Sequence, residues 1–211
     1  MIKFDHVTKT FFSPHGDVTL LRDYSYDFSD GTIYGLYGPN GTGKSTFARL
    51  ITGSIFPTSG NVQREGKIVP FLELGVAFHM ELSGRENIFV NGGLLGISLS
   101  TLRESYHEIV EYAELVGSEH KALKHYSSGM MARLAYSISR YADGDIFIFD
   151  EILAVGDAAF QEKCFENFER LKQQRKLIFI ISHSLPLLEA HADSILLFNK
   201  GANPTLAQVR R

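Results

Sequence analysis

The sequence contains Gly38-Pro39-Asn40-Gly41-Thr42-Gly43-Lys44-Ser45, an octapeptide of the form G-x-x-x-x-G-K-[ST]. Apolar residues 33–37 precede it as a predicted strand, and residues 45–51 follow it as a predicted helix that ends at Gly53. Glycines in that position let successive backbone N–H groups point at phosphate oxygens, and the helix N-terminus adds its positive dipole end. The octapeptide therefore predicts a phosphate-binding loop between a strand and a helix.

The side chains of this loop predict a nucleoside triphosphate as its ligand. We expect Lys44 over the β- and γ-phosphates and the Ser45 hydroxyl on Mg²⁺. The alternative, a glycine-rich turn with an exposed lysine, leaves the flanking strand and helix unexplained. The predicted nucleotide contacts are Gly38, Pro39, Asn40, Gly41, Thr42, Gly43, Lys44, Ser45 and Thr46.

A second apolar strand ends in two carboxylates. Residues 146–149 are apolar at every position, which predicts a strand buried on both faces of a parallel sheet, and Asp150 and Glu151 follow. Ligands of such sheets bind beyond the carboxyl ends of the strands. We predict that Asp150 orients Mg²⁺ and that Glu151 polarises the attacking water as general base. Solvated carboxylates are the alternative, and the upstream phosphate loop favours catalysis.

Two further segments contain candidate phosphate ligands. The strand predicted over residues 177–181 is followed by Ser182-His183-Ser184, where His183 could donate a hydrogen bond to the γ-phosphate or be an ordinary exposed histidine. Residues 126–131 have the sequence YSSGMM and precede a helix predicted over 132–141. Ser127 or Ser128 is either an ordinary helix N-cap or part of a second anion site.

Length, charge and cysteine content limit the class of protein. A chain of 211 residues fits one domain with an inserted subdomain. A net charge of −3 without long Lys/Arg runs argues against a nucleic-acid surface. The single Cys164 allows no intrachain disulfide and suits a reducing cytosol. We find no signal peptide and no apolar run long enough to span a bilayer, so we expect another chain to cross any membrane involved.

The motifs occur in the order GPNGTGKS, YSSGM, IFIFDE, AVGD and SHS, and this order resembles the nucleotide-binding subunit of ABC transporters. YSSGM stands where most of that superfamily has LSGGQ. Together with AVGDAAFQEKC and the upstream segment 84–87, Gly-Arg-Glu-Asn, it is similar to the ABC-2 subgroup that exports capsular polysaccharide, O-antigen and teichoic acid. The resemblance extends from Met1 to about Phe198.

This resemblance implies roles for residues that spacing alone does not assign. It places Ser127, Ser128 and Gly129 at the ATP of an opposite subunit, with Ser127 and Gly129 on the γ-phosphate. It makes Asp157 the residue that links the two sites across the dimer. It also implies that Phe11 stacks on adenine, although a core or edge aromatic is the alternative.

The resemblance also implies roles for two loop segments. The superfamily's Q-loop glutamine is missing, and His79 stands in its apparent place, with Glu73 as a second candidate for the same sensing role. The segment 84–87 is expected to face the membrane subunit.

The expected fold is α/β, a P-loop NTPase (RecA-like) parallel-sheet core with an antiparallel N-terminal β subdomain and an inserted α-helical subdomain. We predict one ABC ATPase domain over residues 1–211, with its core in 1–82 and 136–211 and the helical subdomain in 83–135. Its cofactors are expected to be ATP and Mg²⁺. Its expected partners are a second copy, arranged head to tail around ATP, and a polytopic membrane permease, with no nucleic acid.

The expected function is ATP hydrolysis that powers export of a lipid-linked polysaccharide, capsule first and O-antigen or teichoic acid as alternatives, from the cytoplasmic face of the inner membrane. One rival is a non-transport ATPase of the same superfamily, which typically has two cassettes or a long coiled coil. Another is a P-loop kinase or GTPase. Asn199-Lys200 resembles the guanine-binding N-K-x-D, but Ala202 stands where that motif needs its carboxylate.

Overall fold

The computed structural model describes residues 1–14, 16–71, 78–150 and 158–209. The chain divides into two compact units. Unit 1 comprises Met1–Leu72, Gly144–Glu151 and Phe168–Arg211, and unit 2 comprises Glu73–Asp143 and Ile152–Asn167. Unit 2 is thus wider than the helical subdomain predicted over 83–135, and the assignment of one functional domain to 1–211 remains a prediction.

Unit 1 contains a three-stranded antiparallel sheet of order β2-β1-β4. Its strands are β1 (Ile2–Phe11), β2 (Val18–Phe28) and β4 (Ser59–Arg64). The Phe4 ring of β1 stacks on Phe47 at 4.8 Å between centroids and meets Tyr24 and Phe28 edge-on, each at 5.8 Å. These rings are buried, which agrees with the alternation of apolar residues along β2.

Unit 1 also contains a six-stranded sheet of order β5-β6-β7-β3-β8-β9. All of its pairs are parallel except β8 with β9. The strands are β3 (Ile33–Tyr37), β5 (Ile68–Phe71), β6 (Ile146–Asp150), β7 (Leu177–Ile181), β8 (Ser194–Leu197) and β9 (Thr205–Gln208). Every residue of β7 and the first four of β3 and β6 are buried, as expected for strands covered on both faces.

Helices α1 (Lys44–Thr52) and α7 (Leu185–His191) belong to unit 1. Unit 2 is helical and contains α2 (Gly84–Leu94), α3 (Leu99–Glu104), α4 (Tyr106–Tyr112), a 3₁₀ turn (Leu123–His125) and α5 (Ser128–Ser139). The chain passes from unit 2 to unit 1 within α6 (Ala158–Gln173). Among the helices of the described ranges, none has the length and apolar content needed to cross a bilayer. The predicted fold class is confirmed.

Candidate functional site

The loop between β3 and α1 has the backbone conformation that its glycines permit. Gly41 and Gly43 have φ of 75° and 104°, values that residues with a Cβ rarely adopt. Gly43 occupies the N-cap position of α1 and has no side chain with which to cap the helix. The N–H groups of the first turn can therefore face an anion.

Close packing against β8 fixes the start of this loop. A Cβ added at Gly38 would collide with the carbonyl oxygen of Phe198, the residue that follows β8. At the other end of the loop, a Cβ at Gly43 would lie 3.3 Å from the side chain of Leu20 in β2. The loop is thus seated on the two sheets of unit 1, and the glycine at position 38 is required by space.

Lys44 is buried within the curve of this loop, with 6% of its surface exposed. Its Nζ donates hydrogen bonds to the carbonyl oxygens of Gly38 at 2.7 Å and Pro39 at 3.1 Å. The hydroxyl of Thr42, also buried, donates to the same Pro39 oxygen at 2.8 Å. The ammonium group is thereby held beside the backbone that the sequence predicts to surround the phosphates.

The register of the parallel sheet places Asp150 at the same edge as this loop. Asp150, which is half-buried, lies opposite Ile181 of β7, and Ile181 lies opposite Leu36 of β3. Asp150 is therefore two strand spacings, about 10 Å, from β3 near the point where the loop begins. A strand that contributes a metal ligand is expected beside the phosphate loop, at the same edge of the sheet.

His183 follows β7 at this edge and is exposed. The neighbouring serines order its backbone: the N–H of Ser184 donates to Ser182 Oγ at 3.1 Å, and Ser184 Oγ accepts from the N–H of Leu187 in α7. Because all three strands are parallel, the loop, Asp150 and His183 share the carboxyl edge of one sheet. The hydrogen bond from His183 to a γ-phosphate remains a prediction.

Ser45 and Asp150 were predicted to hold Mg²⁺. Ser45 is exposed in the first turn of α1. Hydroxyl and carboxylate oxygens are the hard ligands that Mg²⁺ prefers, and substrate phosphates normally supply more. Across the described ranges no three His, Cys, Asp or Glu side chains form a metal-binding group of their own. The donor set therefore fits a metal that binds together with a nucleotide.

Phe11 lies at the exposed end of β1, with 43% of its surface accessible. This exposure excludes a core position and leaves adenine stacking or an edge aromatic. Phe11 pairs with Val18 of β2, two residues before the Leu20 that meets the loop, so the ring is roughly 7 Å along the strand from that contact. The Lys9 ammonium lies 4.8 Å from the centroid of the Phe11 ring. This location is compatible with the predicted stacking.

In unit 2, Ser127 is the N-cap of α5, and its Oγ accepts from the N–H of Met130 at 3.2 Å. The N-cap alternative is thus confirmed, and the hydroxyl proton is still able to donate to an anion. Ser128 is exposed, and a Cβ added at Gly129 would meet only Ser127 Oγ, at 3.8 Å. The start of α5 therefore leaves space for a ligand, as the predicted role requires.

The segment 84–87 contains a structural residue whose role the sequence did not reveal. Asn87 has no exposed surface, and its Oδ1 accepts from the N–H of His79 at 2.8 Å. Its Nδ2 donates to the carbonyl oxygens of His79, Leu82 and Ser83 at 3.0, 3.2 and 2.9 Å. Asn87 thus fixes the backbone of the exposed His79. The only signal for it in the sequence was its place in the motif, three residues after Gly84.

Tight packing also explains Gly84, because a Cβ there would collide with the hydroxyl oxygen of Tyr126. Glu86 and Ser83 form a capping box at the start of α2. Arg85 is exposed, with its guanidinium 5.5 Å from the Tyr106 ring centroid. Of this segment, only Arg85 and Glu86 have exposed side chains.

Three predicted residues, Glu151, Asp157 and Glu73, lie outside the described residues. Their assignments remain predictions.

The family model described as ABC transporter matches residues 21–154, which is more than half of the chain. The chain is 40% identical over 192 residues to ABC transporter protein AbcA of Aeromonas salmonicida, covering 90% of this chain and 62% of that protein. It is 37% identical over 218 residues to the O-antigen export system ATP-binding protein RfbB of Klebsiella pneumoniae, covering 93% and 89%. The resemblance inferred from the motifs is confirmed.

Teichoic acids export ATP-binding protein TagH of Bacillus anthracis is 34% identical over 216 residues, which cover 95% of this chain and 39% of that protein. Among solved structures, the dimeric post-hydrolysis state of the ATP-binding cassette MJ0796, bound to ADP and Pi, matches with a TM-score of 0.84. That match covers both chains completely at 20% identity, which shows the fold alone. By its motifs, its fold and its relatives, the chain belongs to the ABC transporter family and contains that family's ATPase domain.

Proposed function

We propose that this chain is the ATP-hydrolysing subunit of an exporter of lipid-linked polysaccharide. The observation that carries the proposal is the shared carboxyl edge of one parallel sheet, which brings together the phosphate loop, Asp150 and His183. The names of the relatives, which refer to O-antigen and teichoic acid export, support the class of substrate. Within that class we propose capsule, with O-antigen and teichoic acid as the alternatives.

In the proposed reaction the chain supplies position and charge. The amides of residues 38–45 and the Lys44 ammonium bind the phosphates, and Ser45 and Asp150 orient the metal. When bound, Mg²⁺ neutralises charge on the phosphate oxygens. Glu151 takes the proton of the attacking water, and His183 donates a hydrogen bond to the γ-phosphate. Phe11 stacks on the adenine ring.

A second copy of the chain completes each site in this proposal. Ser127 and Gly129 belong to unit 2 and contact the ATP bound to the partner's phosphate loop, while Asp157 links the two sites. A head-to-tail pair with two-fold symmetry satisfies both sites at once. Hydrolysis then removes contacts that favour the closed pair, which couples ATP hydrolysis to separation of the two copies. The exposed start of α5 supports this arrangement.

The remaining proposed partner is a polytopic permease, which holds the chain at the cytoplasmic face of the inner membrane. The relatives named as ATP-binding proteins of export systems support a separate membrane subunit. Within the segment 84–87 we propose Arg85 and Glu86 as the contact side chains, because Gly84 and Asn87 are buried.

Co-purification followed by ATPase measurement tests the proposal. The chain is expressed with the polytopic protein of a neighbouring gene, reconstituted, and assayed with lipid-linked capsular glycan, O-antigen and teichoic acid precursors. We expect a stable complex whose ATPase rate rises with one lipid-linked glycan. An ATPase rate that none of the three glycans changes, but that an unrelated lipid or small solute raises, would contradict polysaccharide export.

A further inference from the structure

A buried tyrosine joins α5 to α6 within unit 2. Tyr136 of α5 has no exposed surface, and its hydroxyl donates to the carbonyl oxygen of Cys164 at 3.1 Å. The same hydroxyl oxygen accepts from Nδ2 of Asn167 at 3.0 Å, and Asn167 is 7% exposed. We call this set of three residues, Tyr136, Cys164 and Asn167, the α5–α6 clasp.

Aromatic rings enclose the clasp. The Tyr136 ring lies edge-on to Phe160 at 5.8 Å between centroids and 6.3 Å from Tyr112. Tyr112 of α4 donates its own hydroxyl to the carbonyl oxygen of Lys163 at 2.9 Å. Burial raises the pKa of Tyr136 well above its usual value, so the hydroxyl keeps the proton that it donates. Two tyrosines therefore bond to consecutive carbonyls of α6, but only Tyr136 comes from α5.

The Tyr136 ring makes an apolar contact that has no preferred direction. The Tyr136 hydroxyl adds directional hydrogen bonds to this contact. Phenylalanine would bury nearly the same apolar surface, and apolar packing is non-directional. One donated and one accepted hydrogen bond fix how far α5 can slide or turn against α6, because such bonds tolerate little misalignment. Buried hydrogen-bond networks of this kind specify one arrangement of their elements.

The start of α5 contains residues with predicted roles between two copies. From Tyr136 back to Ser128 at the start of α5 is about 12 Å of helix, and from Cys164 back to Ala158 is about 9 Å. Ser127 precedes the first helix, and Asp157 precedes the second in the sequence. The clasp therefore lies within two to three turns of both helix starts.

We propose that the α5–α6 clasp is a positioning element that fixes the start of α5 against α6, so that Ser127 and Gly129 are presented to a second copy. The proposal rests on the ATP-dependent pair described under the proposed function. Tyr136 contacts neither nucleotide nor metal in this scheme and acts only through the start of α5.

The test uses the full-length chain in a Glu151→Gln background, in which ATP is expected to accumulate the pair. Sedimentation measures the dissociation constant of the pair with ATP, titration measures ATP affinity of the monomer, and thermal unfolding measures stability. Tyr136→Phe should raise the dissociation constant by about tenfold, within the limit of about 25-fold that a factor of about five in each of the two copies would set. Monomer ATP affinity should stay within about twofold, because the phosphate loop belongs to unit 1.

A double variant separates positioning from stability. Tyr136→Phe leaves the buried Asn167 amide without one partner, whereas Tyr136→Phe with Asn167→Leu removes both polar groups, which costs less stability. We expect the double variant to regain thermal stability and to pair as weakly as the single one. Tyr112→Phe is the matched control, since it removes a tyrosine bond to α6 that does not come from α5, and it should pair within about twofold of the parent.

Pairing by Tyr136→Phe at the strength of the parent would overturn the inference. Recovery of pairing together with stability in the double variant would also overturn it, because the hydroxyl would then be merely structural. If the Glu151→Gln parent itself fails to pair with ATP while binding it normally, the ATP-dependent pair of the proposed function is wrong, and the inference falls with it.

Discussion

Substitution of Asn87 should destabilise the chain by an amount that its hydrogen bonds define. The side chain accepts one backbone N–H, and its two amide protons are shared among three carbonyl oxygens at 2.9 to 3.2 Å. Asn87→Ala removes about three net hydrogen bonds at roughly 1 kcal/mol each, or about 3 kcal/mol. With a urea slope of about 2 kcal/mol/M, the unfolding midpoint should fall by about 1.5 M.

Two further variants make the Asn87 measurement specific. Asn87→Asp keeps the acceptor for the N–H of His79 but directs a negative charge at three carbonyl oxygens, so at pH 7 it should cost at least as much as Asn87→Ala. Asn91→Ala is the control, since Asn91 is also buried and lies one turn further along α2. It should shift the midpoint much less.

Urea unfolding followed by circular dichroism provides the assay. A midpoint within about 0.5 M of wild type for Asn87→Ala, or equal shifts for the Asn87 and Asn91 variants, would show that Asn87 does not hold the backbone of residues 79–83.

Three further predictions concern the loop, the catalytic strand and helix α2. Lys44→Ala should weaken ATP binding by about ten- to a hundredfold, because a charge-assisted contact is worth roughly 1.5–3 kcal/mol; unchanged affinity in calorimetric titration would contradict the loop assignment. Glu151→Gln should keep ATP and Mg²⁺ binding and nearly abolish turnover, since an amide cannot take the proton of water; phosphate release at the wild-type rate would remove Glu151 from this role. Gly84→Ala should lower the melting temperature because the new Cβ meets the Tyr126 hydroxyl, whereas Gly93→Ala on the same helix has open space and should raise it slightly; the opposite order would show that the helix start relaxes freely.

Strong local patterns explain how much of the fold could be predicted from the sequence. Residues 146–149 and 177–181 are apolar at every position, and they form β6 and β7, buried as the pattern requires. The helix predicted over residues 45–51 is α1, which ends with Gly53 as its C-cap at φ of 79°. In these segments the local preference for strand or helix agrees with the burial found in the fold, so the sequence alone is sufficient to predict the element.

Helix starts were harder to predict because several segments satisfy the same capping pattern. Thr101 and Glu104 have the spacing of a capping box, but the N-cap of α3 is Ser98, whose hydroxyl accepts from the N–H of Thr101 at 3.1 Å. The capping box of this region belongs to Ser83 and Glu86. Both pairs have the spacing S/T-x-x-E, and tertiary contacts decide which one caps a helix.

Site residues could be predicted where a motif adjoins a predicted strand. Residues whose role depends on tertiary contacts could not be predicted. Lys44 and Asp150 lie on a loop and a strand that the sequence identified, and the parallel register brings them to one edge. Asn87 bonds to a loop that precedes it by up to eight residues, and Tyr136 meets Asn167 far along the chain. The sequence separations of these hydrogen-bonded residues match neither helical nor strand periodicity, so a single sequence does not indicate them.

Completion of each nucleotide site by Ser127 of a second copy can be measured by mixing two defective subunits. Ser127→Arg places a bulky side chain where the partner's γ-phosphate is expected, while residues 38–45 of the same chain are unchanged. Ser127→Ala is the control, since it removes the cap hydrogen bond to Met130 at a cost of about 1 kcal/mol without adding bulk.

The measurement is ATPase activity of the assembled transporter containing Ser127→Arg subunits, Lys44→Ala subunits, or a mixture of both. Each variant alone should be inactive, with Ser127→Arg monomers binding ATP within about twofold of wild type. In mixed pairs the intact loop of the Ser127→Arg subunit meets the intact YSSGM segment of the Lys44→Ala subunit, so one site is restored and part of the activity returns. Loss of nucleotide binding by the Ser127→Arg monomer, with Ser127→Ala binding normally, would place Ser127 in the pocket of its own chain and contradict the account.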